Sequence, residues 1–334
     1  MFQFEENGKE YLHFENTRKS LYDIVIFDIE NKQIAKRIPL HKTGPNGLPA
    51  VYGSRPSPDS KQILISQNNI GRLSTINNQG EVVHNYPVKT PEGRFTTFFF
   101  CSYYNAPAFV KDSCIFLNQG IFKPNMKRED WPQTHMFASQ NLETGKFEWV
   151  PIFYPPIFKE EYENIDGGYG FSYDYNYKEN RLVCGFFGYD SLMVTDDLKH
   201  IRWYNAKSKY LKSMKPKLGN AMAGINSIIE FCEAPMYWHI MYDKYRDVYY
   251  RFAEMPYKLA PNESPYDEPK GKEFSVIVLN ADFEIIGDTK FPGKKYFYKM
   301  SFVGKEGLYI SENNLANPQF DENKLVFTCF KIKN

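Results

Sequence analysis

The chain has almost no excess charge. Its 41 Lys and Arg stand against 40 Asp and Glu, a formal net charge of +1 over 334 residues, so no global field draws it to nucleic acid or to an acidic membrane surface. No apolar run approaches the roughly 20 residues that span a bilayer. The first ten residues, MFQFEENGKE, have neither the basic start nor the apolar centre of a signal peptide; a leader trimmed upstream remains open, because the chain begins almost inside a strand. Cysteine is sparse: Cys101, Cys114, Cys184, Cys232 and Cys329 form no CxxC pair, and no His stands at zinc-ligand spacing. Most of the five lie in apolar runs such as KDSCIFL and RLVCGFF, where a thiol acts as a small buried hydrophobe, and the odd count leaves at least one unpaired. The six His show no HExxH, and GFSYD is not the GxSxG of a nucleophile elbow. A sustained amphipathic helical period is missing too, with GNAMAGINSIIEF (Gly219 to Phe231) as the exception. The sequence calls for no metal and no cofactor.

Aromatic residues are abundant instead. Phe (28), Tyr (25) and Trp (4) make up 17% of the chain, and such side chains suit the half-buried surface of a sheet. A polar turn feeding an apolar strand recurs six times: NGKEYLHF, SPDSKQILIS, KDSCIFLN, KENRLVCG, KYRDVYYR and KEGLYISE, starting at Asn7, Ser57, Lys111, Lys178, Lys244 and Lys305. The interval is roughly 50–70 residues, near the length of a propeller blade. Most copies are followed by a second hairpin, as in FDIENKQIAKRI, TINNQGEVVHNY, NLETGKFEWV, VTDDLKHIRWY and LNADFEIIGD, whose Asn, Asp and Gly supply the turn geometry. Aromatic strands such as TTFFFCSYY, GFSYDYNY, YWHIMYD and YFYKMSF precede four of the six.

Each repeat therefore reads as four antiparallel strands, A to D, and the whole as a single all-β domain over 1–334, a six-bladed β-propeller. The blades are expected near 1–40, 48–88, 96–153, 168–205, 236–291 and 296–334. A pair of β-sandwiches is the rival, but it gives no reason for six similar units. KLVFTCFKIKN closes the sequence with no strand after it, so the expectation is a three-stranded last blade or a missing upstream segment. SPDSKQILIS is similar to the SPDGK-type turn of TolB-like propeller repeats. The order EYLHFEN…YDIVIFDIENKQIAKRIPL…GPNG, Glu10 to Gly47, resembles uncharacterised six-bladed propellers of Bacteroidota cell envelopes. That resemblance implies an exported, lipid-anchored protein of the periplasm or outer membrane with no assigned activity, its anchoring Cys lying upstream of this sequence.

The long connections point to a binding face. In a blade the B–C and D–A connections share one side. Here that side carries IFKPNMKREDWPQT, EMPYKLAPNESPYDEPKGKE and ENNLANPQFDEN as B–C loops, and FYPPIFKEEYENIDGGYG and 206–235 as D–A loops. Long loops on a rigid scaffold tend to carry function, although tight turns opposite would also confine neutral insertions to this side. Trp131, Tyr162 and Tyr169 lie in these loops and are candidates to stack on a ligand. Tyr210, Lys212 and Lys215, in the basic run AKSKYLKSMKPKLG, are candidates for an anionic group, against the alternative of a solvated loop. Glu160, Glu161, Glu163 and Asp166 have no EF-hand spacing, and GPNG reads as a structural turn. His239 is the catalytic candidate, because an A strand lines the central channel; a hydrogen-bonded core His is its alternative. Three functions follow: a non-catalytic envelope propeller binding a glycan, peptide or protein partner; a glycan hydrolase or lyase; and a structural subunit of an envelope assembly. Fold alone does not choose among them.

Overall fold

The structure is a computed structural model that describes all residues except 17–21, 58–59, 68–70, 89–98, 101, 104, 120–131, 157–169, 213, 215–224, 262, 265–269 and 334. It is a six-bladed β-propeller. Five blades are built on four antiparallel strands and the last on three. The sheets group in two compact units, residues 1–126 with 134–153, and 127–133 with 154–334.

In the first unit, the first sheet holds β1 (Phe2–Glu6), β2 (Lys9–Asn16), β3 (Asp23–Asp28) and β4 (Gln33–Pro39). The second holds β5 (Gly53–Pro56), β6 (Ile63–Gln67), β7 (Arg72–Ile76) and β8 (Val82–Pro87). The third differs from the continuous A strand expected of TTFFFCSYY. Two short strands, β9 (Phe99–Phe100) and β12 (Phe109–Lys111), share one edge of β13 (Cys114–Gln119). Between them the chain loops out as the pair β10 (Ser102–Tyr103) and β11 (Ala106–Pro107). Pro107 lacks the N–H that a continuous ladder would use. Strands β14 (Phe137–Asn141) and β15 (Phe147–Trp149) complete that sheet.

In the second unit, the fourth sheet holds β16 (Phe171–Asn176), β17 (Arg181–Phe186), β18 (Ser191–Thr195) and β19 (Arg202–Asn205). The fifth holds β20 (Met236–Asp243), β21 (Val248–Glu254), β22 (Phe274–Leu279) and β23 (Ile285–Phe291). The sixth holds β24 (Phe297–Gly304), β25 (Gly307–Ser311) and β26 (Phe327–Phe330). Helix α1 (Ile225–Glu233) falls inside the one stretch with helical period and precedes β20.

The turns show why these segments pair. Asn7 and Gly8 adopt positive φ (52° and 77°) between β1 and β2, with Glu6 opposite Lys9, the geometry of a two-residue hairpin. The outer hairpins begin on an Asn or Asp whose side chain replaces a missing turn bond. Asn77 Oδ1 accepts the N–H groups of Gln79 and Glu81, Asn141 Oδ1 those of Glu143 and Thr144, and Asn280 Oδ1 those of Asp282 and Glu284.

Apolar side chains on both faces drive the sheets to stack. All seven residues of β21 and all five of β6 are buried. Ile24, Ile38, Ile63 and Ile65 pack between the first and second sheets, and Leu73, Ile115 and Leu117 between the second and third. Val183, Leu192, Ile240 and Ile277 pack between the fourth and fifth, and Phe252, Phe274, Tyr298 and Ile310 between the fifth and sixth. Each such side chain contributes about 1.5–3 kcal/mol by leaving water. Cys184 lies within β17, fully buried, and burial pushes its thiol well above the ordinary range.

Polar clamps join neighbouring sheets. In the second unit Arg251 is 1% exposed. Its guanidinium stacks 3.6 Å over the Tyr237 ring and donates to the carbonyls of Tyr189 (2.6 Å), Ala206 (3.0 Å) and Asp190. In the first unit His13 Nε2 lies 2.6 Å from Ser54 Oγ, and Ser54 gives both its hydroxyl proton and its N–H to Glu15 Oε1. With the Ser54 proton so placed, Nε2 must be the His13 donor, which leaves Nδ1 bare and without a partner among the described residues.

Two outcomes follow. Arg251→Met keeps the volume but orphans buried carbonyls, and should lower stability by about 3 kcal/mol or more, read as a fall in denaturation midpoint. Burial holds the His13 pKa down to about 4, whereas the unfolded imidazole titrates near 6.5. Between those values the unfolded chain binds a proton that the folded one does not, so stability should fall as pH drops from about 6.5 to about 4. Melting curves across that window should be flatter for His13→Gln than for the wild type.

Candidate functional site

The inner strands of the fifth and sixth sheets are both irregular where they begin. In β20, Tyr237 faces Ala253 and His239 faces Phe252, so Trp238 is an extra residue with no opposite number. In β24, Phe297 faces Ser311 but the next pair is Ser301 with Ile310, leaving Tyr298, Lys299 and Met300 as the excess. Bulges of this kind re-aim side chains. Here they bring two together: Lys299 Nζ lies 3.8 Å from the Trp238 ring. Phe187 stacks on Trp238, with centroids 4.7 Å apart and planes 23° apart.

Glu254 ends β21 beside this pair. It is 3% exposed. One oxygen is ion-paired with Lys272; the other accepts the Tyr298 hydroxyl and lies 4.0 Å from Lys299 Nζ. Lys272 is itself buried and also donates to the carbonyls of Cys232 (3.1 Å) and Ala234 (2.8 Å). It thus caps the C-terminal end of α1, where the helix dipole favours a cation. Burial works against ionised Glu254, yet the charges of Lys272 and Lys299 and the hydrogen bonds from Lys272 and Tyr298 outweigh it and hold the carboxyl below its usual range. Lys299, with a side chain 13% exposed, is the cation nearest solvent.

The neighbouring long connections are fixed to the scaffold. Tyr257 N–H donates to the Glu233 carbonyl (3.0 Å) and Leu259 N–H to the Glu233 carboxylate (2.9 Å), joining the β21–β22 connection to α1. Gly271 lets the Tyr257 ring approach the backbone closely; a Cβ there would come within 2.5 Å of the Tyr257 hydroxyl oxygen. Asn314 Nδ2 donates to the carbonyls of Lys270 and Tyr296, both at 3.0 Å, and so ties the β25–β26 connection to the same region.

His239 is buried in β20, its ring 5.6 Å from that of Phe252. Tyr210 and Lys212 are exposed. Their segment docks on the outer strand of the fifth sheet, where Asp288 Oδ2 accepts the Ser208 hydroxyl and the Lys209 N–H, both at 2.8 Å, and the Tyr210 hydroxyl lies 3.4 Å from the Asp288 carbonyl. They are on the outer strand, whereas Trp238 and Lys299 belong to inner strands. Trp131, Tyr162, Tyr169 and Lys215 lie outside the described residues, as do Glu160, Glu161, Glu163 and Asp166. Sequence reasoning passed over Lys299 and Glu254. A signal was present, a lone charge in each of the apolar runs YFYKMSF and VYYRFAE beyond Arg251. Among the described residues no three His, Cys, Asp or Glu side chains are grouped to hold a metal ion, and no helix is long and apolar enough to cross a membrane.

A family model described as a domain of unknown function, DUF4221, matches residues 1–290. The chain belongs to the DUF4221 family. A DUF4221 member from Bacteroides vulgatus, solved by crystallography, is 85% identical, with a TM-score of 0.95 over 100% of this chain and 92% of that one. A candidate exported protein from Bacteroides fragilis shares the fold at 8% identity, with a TM-score of 0.56 over 96% of this chain and 83% of that one. No curated protein matches. The Bacteroidota resemblance read from Glu10 to Gly47 agrees with this DUF4221 membership.

Within this DUF4221 propeller, Glu254→Gln should remove a buried carboxylate held between two cations, at about 3–5 kcal/mol. Because the folded pKa is depressed, the stability that Glu254 contributes is complete at neutral pH. It should be lost as pH falls below about 4.3, the ordinary Glu value, through the folded pKa. Acid-unfolding curves of the wild type and Glu254→Gln should converge at low pH.

Proposed function

We propose that this protein is a non-catalytic binding propeller of the cell envelope, and that the B–C and D–A loop side takes a glycan, peptide or protein partner through an anionic group. The observation that carries this is the Lys299–Trp238 pair. Two bulges on adjacent inner strands set an ammonium against an indole, beside a buried carboxylate that a second ammonium also holds. A cation held by a ring and a distant carboxylate is pre-organised, so less side-chain entropy is lost when a carboxylate or phosphate arrives. Export to the envelope rests on the Bacteroidota likeness, and a lipid anchor upstream would accompany it.

The hydrolase or lyase reading is less well supported. A general acid needs a carboxyl pKa raised toward neutrality, and Glu254 is displaced in the opposite direction. His239 packs on Phe252 inside its strand. A structural subunit would need a broad apolar patch.

Arrays of acidic and neutral glycans and peptides test the proposal. Acidic members should be retained at low salt and weakened as salt rises. Lys299→Met should reduce their retention about tenfold, near the worth of one charge-assisted contact, with an unchanged melting temperature confirming the fold. Equal retention of neutral and acidic members, or full retention by Lys299→Met, would refute it.

A further inference from the structure

Asn–Gly is the dipeptide at which a chain most readily attacks itself, because glycine puts no side chain in the way of its own nitrogen. The sequence holds it twice, at Asn7–Gly8 and at Asn46–Gly47, and the fold treats the two differently. Asn46 is pinned on both sides of the bond that would react. Its Oδ1 accepts the Val82 N–H (3.0 Å), while Gly47 N–H donates to the Gly44 carbonyl (2.9 Å) and Leu48 N–H to that of His41. A Cβ on Gly47 would come within 2.9 Å of the Gly44 oxygen, so the backbone has little room to turn there. Asn7 and Gly8 are instead the exposed tip of the β1–β2 hairpin. Among the described residues no hydrogen bond holds the Asn7 side-chain amide, and a Cβ on Gly8 would meet nothing within 4 Å. Other turn-forming Asn are committed. Asn77, Asn141 and Asn280 each accept two backbone N–H groups through Oδ1, and a residue larger than Gly follows each of them.

We propose that Asn7 is a site of spontaneous modification, converted by water to aspartate and isoaspartate, and that the isoaspartate form releases β1 from β2. The Gly8 backbone nitrogen, its proton lost to solvent base, attacks Cγ of Asn7. A new C–N bond forms, the bond from Cγ to the side-chain nitrogen breaks, and that nitrogen takes up protons from water and leaves as ammonia. The product is a five-membered succinimide. Water opening it at Cγ restores the peptide with aspartate at position 7. Opening at the backbone carbonyl leaves the chain running through Cγ, which is isoaspartate. Aspartate tolerates the positive φ of this turn much as asparagine does. Isoaspartate does not fit, because its backbone is one methylene longer. The turn has only two residues, and it sets Glu6 opposite Lys9 and every pair from there to Phe2 opposite His13. Among the described residues β1 pairs with β2 alone, so a lengthened turn loosens the inner strand of the first sheet.

Peptide mapping by mass spectrometry, on the whole protein held in warm, mildly alkaline buffer, tests this. The amide-to-acid mass change should appear at Asn7 at least about tenfold faster than at Asn46, since opening an exposed turn costs less than unmaking the Val82 and Gly44 bonds. In denaturant both Asn–Gly pairs should react alike, which makes the ratio a property of the fold. Isoaspartyl methyltransferase should label the aged protein at position 7. Hydrogen exchange of β1 should quicken in the labelled fraction and stay unchanged in Asn7→Asp, which carries the new charge without the longer backbone. Asn7→Gly keeps a residue suited to the turn and should abolish the labelling. Comparable rates at the two sites in the folded protein, or a ratio that persists in denaturant, would overturn the proposal. So would labelled protein whose β1 exchanges no faster than before.

Discussion

No sheet in this chain can bury itself. Strands such as β6 and β21 present apolar side chains to both faces, so each sheet needs a neighbour on either side, and only stacking one against the next removes both faces from water. That constraint makes the inner strands close-packed and leaves outer strands such as β4 and β23 largely exposed. It also leaves the strand ends as the places where departures from regular pairing cost least. The irregularities at Trp238 and at Tyr298–Met300 occur there.

Hydrophobic stacking sets proximity, but polar side chains fix how neighbouring sheets meet. His13 and Ser54 join the first sheet to the second, and Arg55 donates to the Ala108 carbonyl between the second and third. Arg251 joins the fourth to the fifth. Glu254 and Tyr298 join the fifth to the sixth, as does Arg246, which donates to the carbonyls of Gly304 (2.7 Å) and Lys305 (2.9 Å). A hydrogen bond with fixed geometry tolerates less sliding than an aliphatic contact, so these joints select one registration among many of similar buried area.

The fold was legible because its signals are local. Asn7–Gly8 and the outer-hairpin residues Asn77, Asn141 and Asn280 announce turns from their own chemistry, and alternating aromatic runs announce strands. The split inner strand of the third sheet was not legible. TTFFFCSYY looks continuous, and only pairing to β13 shows where it breaks. The candidate site was harder still. Glu254 and Lys272 are 18 positions apart, and Trp238 and Lys299 are 61 apart, in different sheets. A bulge exists only relative to a partner strand, so no reading of YWHIMYD alone could single out its Trp. The loop residues that composition did suggest, Tyr210 and Lys212, lie on a segment whose polar contacts go to Asp288, Ser275 and Tyr237.

The Arg251 guanidinium also constrains how such a molecule can change over generations. Its acceptors, the carbonyls of Tyr189, Asp190 and Ala206, all belong to the preceding repeat. Backbone carbonyls are indifferent to side-chain identity, so the donor tolerates sequence drift in that repeat while remaining intolerant of its removal. A deletion that moved this backbone away from Arg251 would strand an ion in the interior, so the course of the chain through 189–190 and 206 is held more tightly than the residues on it.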